Sequence, residues 1–339
     1  MAGGDFDIHT AFEGYDIIGD VHGCAASLER LLQRLDYRKV GGVYGHKCRQ
    51  AIFVGDIVDR GPRIREALHL VYDMVAAGAA QMVMGNHEYN AIGYTTRAKP
   101  GTGRQYLREH NKRHNRLIAE TLEQFANYGE EWRGFLDWFK TLPLFLEMPD
   151  FRVVHACWDH RLIDAYRRRY NSNQVDMEFI HSSVDKNSFA GQLMDRLTRG
   201  TDMPLPNNMV MTSHDGYVRR FFRTKFWGRH PKIYNDLVFQ PDPLPEEVGN
   251  ARITDQDRQR ICSYGPEQPP LFIGHYWLQG RPRPITPNVA CLDYSAVKYG
   301  RLVAYRMDGE QHLQADKFVW VYVDPKDGDP SDVLGRVEE

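Results

Sequence analysis

The stretch GDVHG at residues 19–23 sets a carboxylate, Asp20, two positions from an imidazole, His22. If the chain stays extended there, both side chains point to one side and together can grip a divalent cation. The flanking Gly19 and Gly23 permit tight turns around them. VGDIVDRGP adds Asp56, Asp59 and Arg60 within five positions. Asp56 is a carboxylate that can bridge two cations, and Arg60 offers a planar fork of donors matching a phosphate. MGNHE adds Asn86, a neutral oxygen donor, and His87, which can give or take a proton near neutral pH. His155 and His275 each follow an apolar run and could complete the shell of a second cation. In VVHACWDHR (153–161), Cys157 two residues after His155 raises a competing chemistry, a thiol nucleophile beside a histidine.

These residues need elements to hold them. YDIIGDVH (15–22), AIFVGD (51–56), QMVMGNH (81–87), FRVVH (151–155) and LFIGH (271–275) are short apolar runs, each ending in a residue of metal-binding type. Such runs read as buried strands. Between them, AASLERLLQRL carries Leu28, Leu31, Leu32 and Leu35 at helical spacing. REALHLVYDMVAAG carries Leu68, Val71, Tyr72 and Val75 on one stripe, with Gly78 as a C-terminal cap. Alternating strands and helices predict a mostly parallel sheet, whose ligands sit beyond the carboxyl ends of its strands. The expected organisation is a single domain over 1–339. A helical insertion covers 94–142, an irregular, cap-like insertion covers 160–266, and a frayed tail covers 324–339. NVACLDYSAV and RLVAYRMDG read as two closing strands joined through KYG.

Composition is that of a soluble globular chain: 339 residues, 42% hydrophobic, net charge −2. That charge argues against nucleic acid as a partner. No apolar stretch approaches the roughly 18 residues of a membrane span, and the acidic start has no apolar core of a signal peptide. Five scattered cysteines without a CxxC pair argue against a disulfide framework or a cysteine-built zinc site, and suit a reducing cytoplasm.

Taken together, GDVHG, GDIVDRG, GNHE, a later histidine after an apolar run and GH near the end resemble the signature of the calcineurin-like metallophosphoesterases. The GDIVDRGP and GNHE forms are most similar to the phosphoprotein-phosphatase branch, which includes bacterial Ser/Thr phosphatases and diadenosine tetraphosphate hydrolases. ACLDYSAVKYGRLVAYRMDG is similar to that branch's closing strands. The resemblance implies an α/β fold, a four-layer α-β-β-α sandwich with two inserted, partly helical segments near a dinuclear centre. Matched position by position, it implies Asp20 and His22 on the first metal, Asp56 bridging, and Asn86, His155 and His275 on the second. His87 then matches the catalytic histidine, Asp59 its orienting partner and Arg60 the phosphate-binding arginine. Two cations roughly 3.5–4 Å apart acidify a bridging water. The resulting hydroxide attacks phosphorus in line while His87 protonates the leaving oxygen. The mixed donor set suits Mn²⁺, with Fe or Zn²⁺ also compatible. The expected substrate is a phosphomonoester, either a phosphoprotein or a small phosphate ester, with a dinucleoside polyphosphate as the alternative.

Three features stand beside that match. The family usually has Gly where this chain has Cys157, and no Arg follows five residues later, where Leu162 stands. Cys157 therefore reads as a small buried hydrophobe rather than a nucleophile, with Trp158 able to reshape a pocket wall. RRR (167–169) and YVRRFFRTKFWGRHPK (217–232) read as solvated faces or as lining for an anionic substrate, and REHNKRHNR (108–116) reads as helix surface rather than a third metal site. Arg219 or Arg220 is a candidate second phosphate donor. A non-catalytic, metal-stabilised binding protein is the competing class. It has no use for the proton donor that His87 and Asp59 together would make.

Overall fold

The computed structural model describes residues 12–205, 209–212, 218–228, 230–239 and 244–324. The expected frayed tail lies, except for Asp324, outside them. The chain runs through β1 (Gly14–Ile18), α1 (Ala25–Arg34), a small ribbon of β2 (Arg38–Val40) and β3 (Val43–Gly45), then β4 (Arg49–Phe53), α2 (Ile64–Ala76), β5 (Ala80–Met82) and α3 (Asn86–Thr95). Helices α4 (Lys112–Gln124) and α5 (Gly129–Phe139) precede β6 (Phe145–Glu147) and β7 (Arg152–Val154). Three helices follow: α6 (His160–Tyr170), α7 (Met177–Ser182) and α8 (Phe189–Arg199). Next come four short strands, β8 (Thr201–Pro204), β9 (Met211–Thr212), β10 (Val218–Arg219) and β11 (Phe221–Thr224). The chain closes through β12 (Leu271–Ile273), β13 (Val289–Cys291), β14 (Asp293–Tyr294), β15 (Arg301–Met307) and β16 (Phe318–Tyr322).

The strands expected to share one sheet are divided between two. One sheet has the order β14-β15-β1-β4-β5, with β16 also on β15; β1, β4 and β5 are parallel. The other has the order β13-β12-β7-β6, with β12 parallel to both neighbours. The two-residue period of the strands shows why two sheets form. Ile17, Ile52, Val153, Phe272 and Ala290 share one buried cluster, which therefore holds side chains of both sheets. Their neighbours Ile18, Phe53, Val154, Leu271 and Cys291 enter a second cluster with Leu28, Leu31 and Leu32 of α1 and Leu193 and Leu197 of α8. Each of these strands is apolar on both faces because each face is covered. NVACLDYSAV is divided in the same way, β13 joining one sheet and β14 the other.

The stripe on α2 also differs from expectation. Ile64, Ala67, Leu68, Val71 and Met74 are buried, while Tyr72 is largely exposed and sets its ring edge against Phe135 and Trp138 of α5. Gly78, with φ +73°, follows the helix as the left-handed cap residue. Residues 160–199 are three regular helices, and the irregular part begins at β8. There Met203, Phe222, Tyr234, Leu237 and Val248 form a small apolar core of their own.

Candidate metal centre

The strands stop earlier than their apolar runs suggest, and the chemistry sits in the turns beyond. β1 ends at Ile18, and the next turn folds so that the amides of Val21 and His22 both donate to the Asp56 carbonyl. Asp20 and His22 are therefore placed by a turn, not by strand alternation as expected. His22, Asp56, Asp59, Arg60 and His275 all have positive φ, a conformation that costs non-glycine residues energy. Backbone strain is thus concentrated where the polar side chains converge. Two glycines are required by close approach. A Cβ on Gly85 would lie 2.2 Å from Asp56 Oδ1, and one on Gly274 would lie 2.0 Å from Asp20 Oδ1.

Asn86 and His87 begin a helix rather than end a strand, because Glu88 caps it. The buried Glu88 carboxylate accepts from the amides of Gly85 (3.0 Å), Asp56 (2.8 Å) and Ile57 (2.8 Å). It fastens the start of α3 to the Asp56 turn. The helix N-terminus in turn presents the His87 amide to Asp56 Oδ1 at 2.8 Å.

Asp56 lies at the centre of the group. Its Oδ2 is 3.8 Å from His22 Nε2, 3.9 Å from His87 Nε2 and 3.3 Å from His155 Nε2. Two sets of buried groups are close enough to hold a cation each: His22, Asp56 and His87, and Asp56, His155 and His275. Asn86 Oδ1 lies 3.2 Å from His155 Nε2 and 2.8 Å from His275 Nδ1. The Asp20 carboxylate accepts from the His275 amide at 3.1 Å. The structure thus brings Asp20, His22, Asp56, Asn86, His87, His155 and His275 together from five separate stretches of chain.

The tautomers suit metal binding. His22 Nδ1 is 2.9 Å from the Val58 carbonyl and His155 Nδ1 is 2.7 Å from the Val54 carbonyl. A carbonyl only accepts, so Nδ1 carries the hydrogen in both rings and Nε2 is turned to the centre. Among the described residues, His22 Nε2 and His275 Nε2 are buried without a hydrogen-bond partner. Unpartnered nitrogens of this kind carry a free-energy penalty unless something binds them. Charge points the same way. Burial, then the nearby Asp293, pushes the Asp20 carboxyl well above its usual range. Burial opposes ionisation of Asp56, but the His155 and His87 rings hold it well below the usual carboxylate range. Burial likewise opposes a charged His155, yet Asp56 holds that ring at about 10. Burial and the His87 charge keep His22 well below the ordinary histidine value. Packed acids and imidazoles of this type are suited to a dinuclear metal site.

His87 is held by a second layer. Its Nδ1 is 2.6 Å from Asp59 Oδ2, and Thr121 Oγ1 donates to Asp59 Oδ1 at 2.5 Å. Arg60 sets its guanidinium 4.4 Å over the Trp277 ring, and its Nη1 is buried with no hydrogen-bond partner among the described residues. Several of these contributors escaped the sequence reading. Thr121 lies on α4, inside the expected insertion, with no motif around it. Asp293 lies in ACLDYS, where an acid at the end of an apolar run was a usable signal. It is buried and accepts from the amides of Trp277 (3.0 Å) and Ser295 (2.9 Å). The charge of Arg223, more than those of Arg219 or Arg220, reaches His275 and lowers its pKa further after burial has done so.

Cys157 is fully buried, with its sulfur 3.6 Å from that of Cys262, and burial raises its thiol well above the ordinary range. It is a free, unactivated cysteine. Trp158 is buried against Phe145 and Arg152. In VVHACWDHR the last acid has a plain structural task, since Asp159 caps α6 by accepting from the amides of Arg161 and Leu162. At 167–169, Arg167 lies over Phe145 and Arg169 over Tyr170, a solvated face with stems on aromatics.

Known proteins resemble this chain in the same region. Over 162 residues it is 32% identical to a protein of Oceanobacillus iheyensis named asymmetrical bis(5'-nucleosyl)-tetraphosphatase PrpE, covering 45% of this chain and 60% of that one. The match therefore spans less than two thirds of that relative. A protein of Vibrio vulnificus named symmetrical bis(5'-nucleosyl)-tetraphosphatase is 28% identical over 301 residues, covering 87% of this chain and 95% of that one. A solved serine/threonine protein phosphatase of Saccharomyces cerevisiae aligns over 92% of this chain and 79% of its own, with a TM-score of 0.47 and 13% identity. The model of the calcineurin-like phosphoesterase family matches residues 15–188, from the first strand of the centre through all but one of its ligand-bearing stretches, and the chain belongs to that family.

Proposed function

We propose that this chain hydrolyses phosphate esters and anhydrides at a two-cation centre, with dinucleoside polyphosphates as its substrates. The observation that carries the reading is the single Asp56 oxygen within 4 Å of imidazole nitrogens from three separate motifs. Asp20 and His22 would hold one cation, Asn86, His155 and His275 the other, and Asp56 both. Bound there, the cations supply Lewis acidity toward the phosphoryl oxygens and the attacking water. Carboxylate, imidazole and amide donors favour Mn²⁺, with Fe or Zn²⁺ compatible.

The chain's own residues do the remaining work. Arg60, fixed over Trp277, directs its unpartnered Nη1 to a phosphoryl oxygen and so orients the phosphate. His87 carries a proton on Nε2 to the leaving oxygen. Asp59 holds Nδ1–H and stabilises the cationic ring, and Thr121 fixes Asp59. This His–Asp pair also speaks against the non-catalytic binding protein.

A phosphomonoester was the expected substrate from sequence. Two observations favour the dinucleotide instead. The two curated relatives described above bear that activity in their names. A basic cavity also opens beside α3. Five free cysteines, and no described helix long and apolar enough to cross a membrane, accord with a cytoplasmic enzyme. A panel of nitrophenyl phosphate, phosphopeptides and diadenosine tetraphosphate, each with Mn²⁺, tests the proposal. It predicts the highest kcat/KM on diadenosine tetraphosphate. A preference for phosphopeptides would overturn the substrate, and no turnover on any of the three would overturn the reaction.

A further inference from the structure

Helix α3 carries more than the centre. Asn86 and His87 occupy its first turn, and Asn90 lies one turn on, about 5.4 Å along the axis. Asn90 Oδ1 accepts from Arg108 Nη1 and from Arg199 Nη2, both at 2.7 Å. One amide oxygen thus holds two guanidinium groups side by side. Among the described residues, the Arg108 guanidinium has no acid paired with it, while Arg199 also reaches Asp195 at 3.0 Å. Both line a cavity of about 600 Å³ whose wall carries Arg104, Arg113, Lys186 and Arg223 as well. Six cationic side chains there face three carboxylates, and Asp195 is already engaged by Arg199. Burial, then the charges of Arg199 and Arg113, lowers Arg108 to about 10. Like charges held this close are unfavourable unless an anion joins them.

We propose that this cavity is a second anion subsite, which binds an oligophosphate chain beyond the phosphate under attack, with Arg108 and Arg199 as its principal ligands and Asn90 setting their spacing. The proposal rests on the hydrolase reading for the direction of the chain, because the attacked phosphate lies at Arg60 and the centre. Arginine forks suit this task, as each can present two parallel donors to a phosphate. A phosphomonoester with a neutral leaving group would leave the subsite empty. A di- or oligophosphate would fill it.

Binding to the full chain at fixed, buffered free Mn²⁺ tests the subsite, with inorganic tripolyphosphate, ATP and orthophosphate as probes. Tripolyphosphate should bind at least about tenfold more tightly than orthophosphate, and Arg108→Gln or Arg199→Gln should each remove about tenfold of tripolyphosphate affinity. Asn90→Ala, which keeps both arginines but frees their spacing, should weaken it in the same direction. Equal affinity for ATP and tripolyphosphate identifies the bare chain as the ligand, and tighter ATP identifies a nucleotide; both support the subsite. Equal affinity for tripolyphosphate and orthophosphate in the wild type, or variants that bind tripolyphosphate as the wild type does, would overturn it. Failure of the hydrolase reading is a separate result: intact tripolyphosphate binding with no turnover of nitrophenyl phosphate, phosphopeptides or diadenosine tetraphosphate.

Discussion

His87 is the residue on which the chemistry turns, because it is the one imidazole of the group bonded to a side-chain acid through Nδ1. His87→Ala should leave metal content intact and lower kcat by about 10²–10⁴-fold for poor leaving groups. Nitrophenolate, which departs without a proton, should be affected far less. Equal losses for both leaving groups would contradict the acid role. His155 supplies a second prediction. In the metal-free protein its ring is held at about 10 by Asp56, so it is protonated at neutral pH. A cation takes the place of that proton. Metal binding should therefore release a proton near pH 7, and affinity should rise with pH through the neutral range. Calorimetry in buffers of different ionisation enthalpy measures this. Affinity independent of pH between 6 and 8 would contradict it. The candidate metal-binding residues stood out in the sequence because acids, amides and histidines after apolar runs are uncommon and here recur five times. Thr121 and Asn90 were not legible, because a lone threonine or asparagine on a helix carries no signal until the helix is placed.

At the scale of elements, the strands and helices nearest the motifs could be read from apolar periodicity, while their ends could not. Each strand was read one to five residues too far at its carboxyl end, and after β1, β4 and β12 the run continues into a turn with left-handed residues, among them His22, Asp56 and His275. A left-handed turn built from Asp, His and Arg rather than Gly has no sequence signature. The partition into two sheets was implied by the family resemblance but was hidden from periodicity for a related reason. A strand buried on both faces looks alike whether a helix or another sheet covers it. Glu88 shows how one side chain joins elements. It links the start of α3 to the Asp56 turn through the backbone amides of Gly85, Asp56, Ile57 and Val58. Glu88→Gln puts an amide nitrogen among those donors. It should cost about 1–3 kcal/mol in urea unfolding and weaken metal binding as the Asp56 turn loosens. Unchanged stability and metal affinity would refute the linking role.

For the molecule as a whole, the centre is a product of both sheets. The His155 ring bonds the Val54 carbonyl beyond β4, and the Gly274 amide bonds the His155 carbonyl. Neither sheet alone gathers the set. The segments read as insertions contribute as well: α4 brings Thr121 to Asp59, and Arg199 and Arg223 line the cavity beside α3. Two cations on this set would be what makes the chain a phosphoester hydrolase. The decisive measurement is a titration of chelated protein with Mn²⁺, with bound metal per chain and nitrophenyl phosphate turnover read on the same samples. Turnover should be absent without metal, rise to a plateau at two Mn²⁺ per chain, and be lost together with metal in Asp56→Asn. Full turnover without metal, or in Asp56→Asn with metal content unchanged, would contradict the claim.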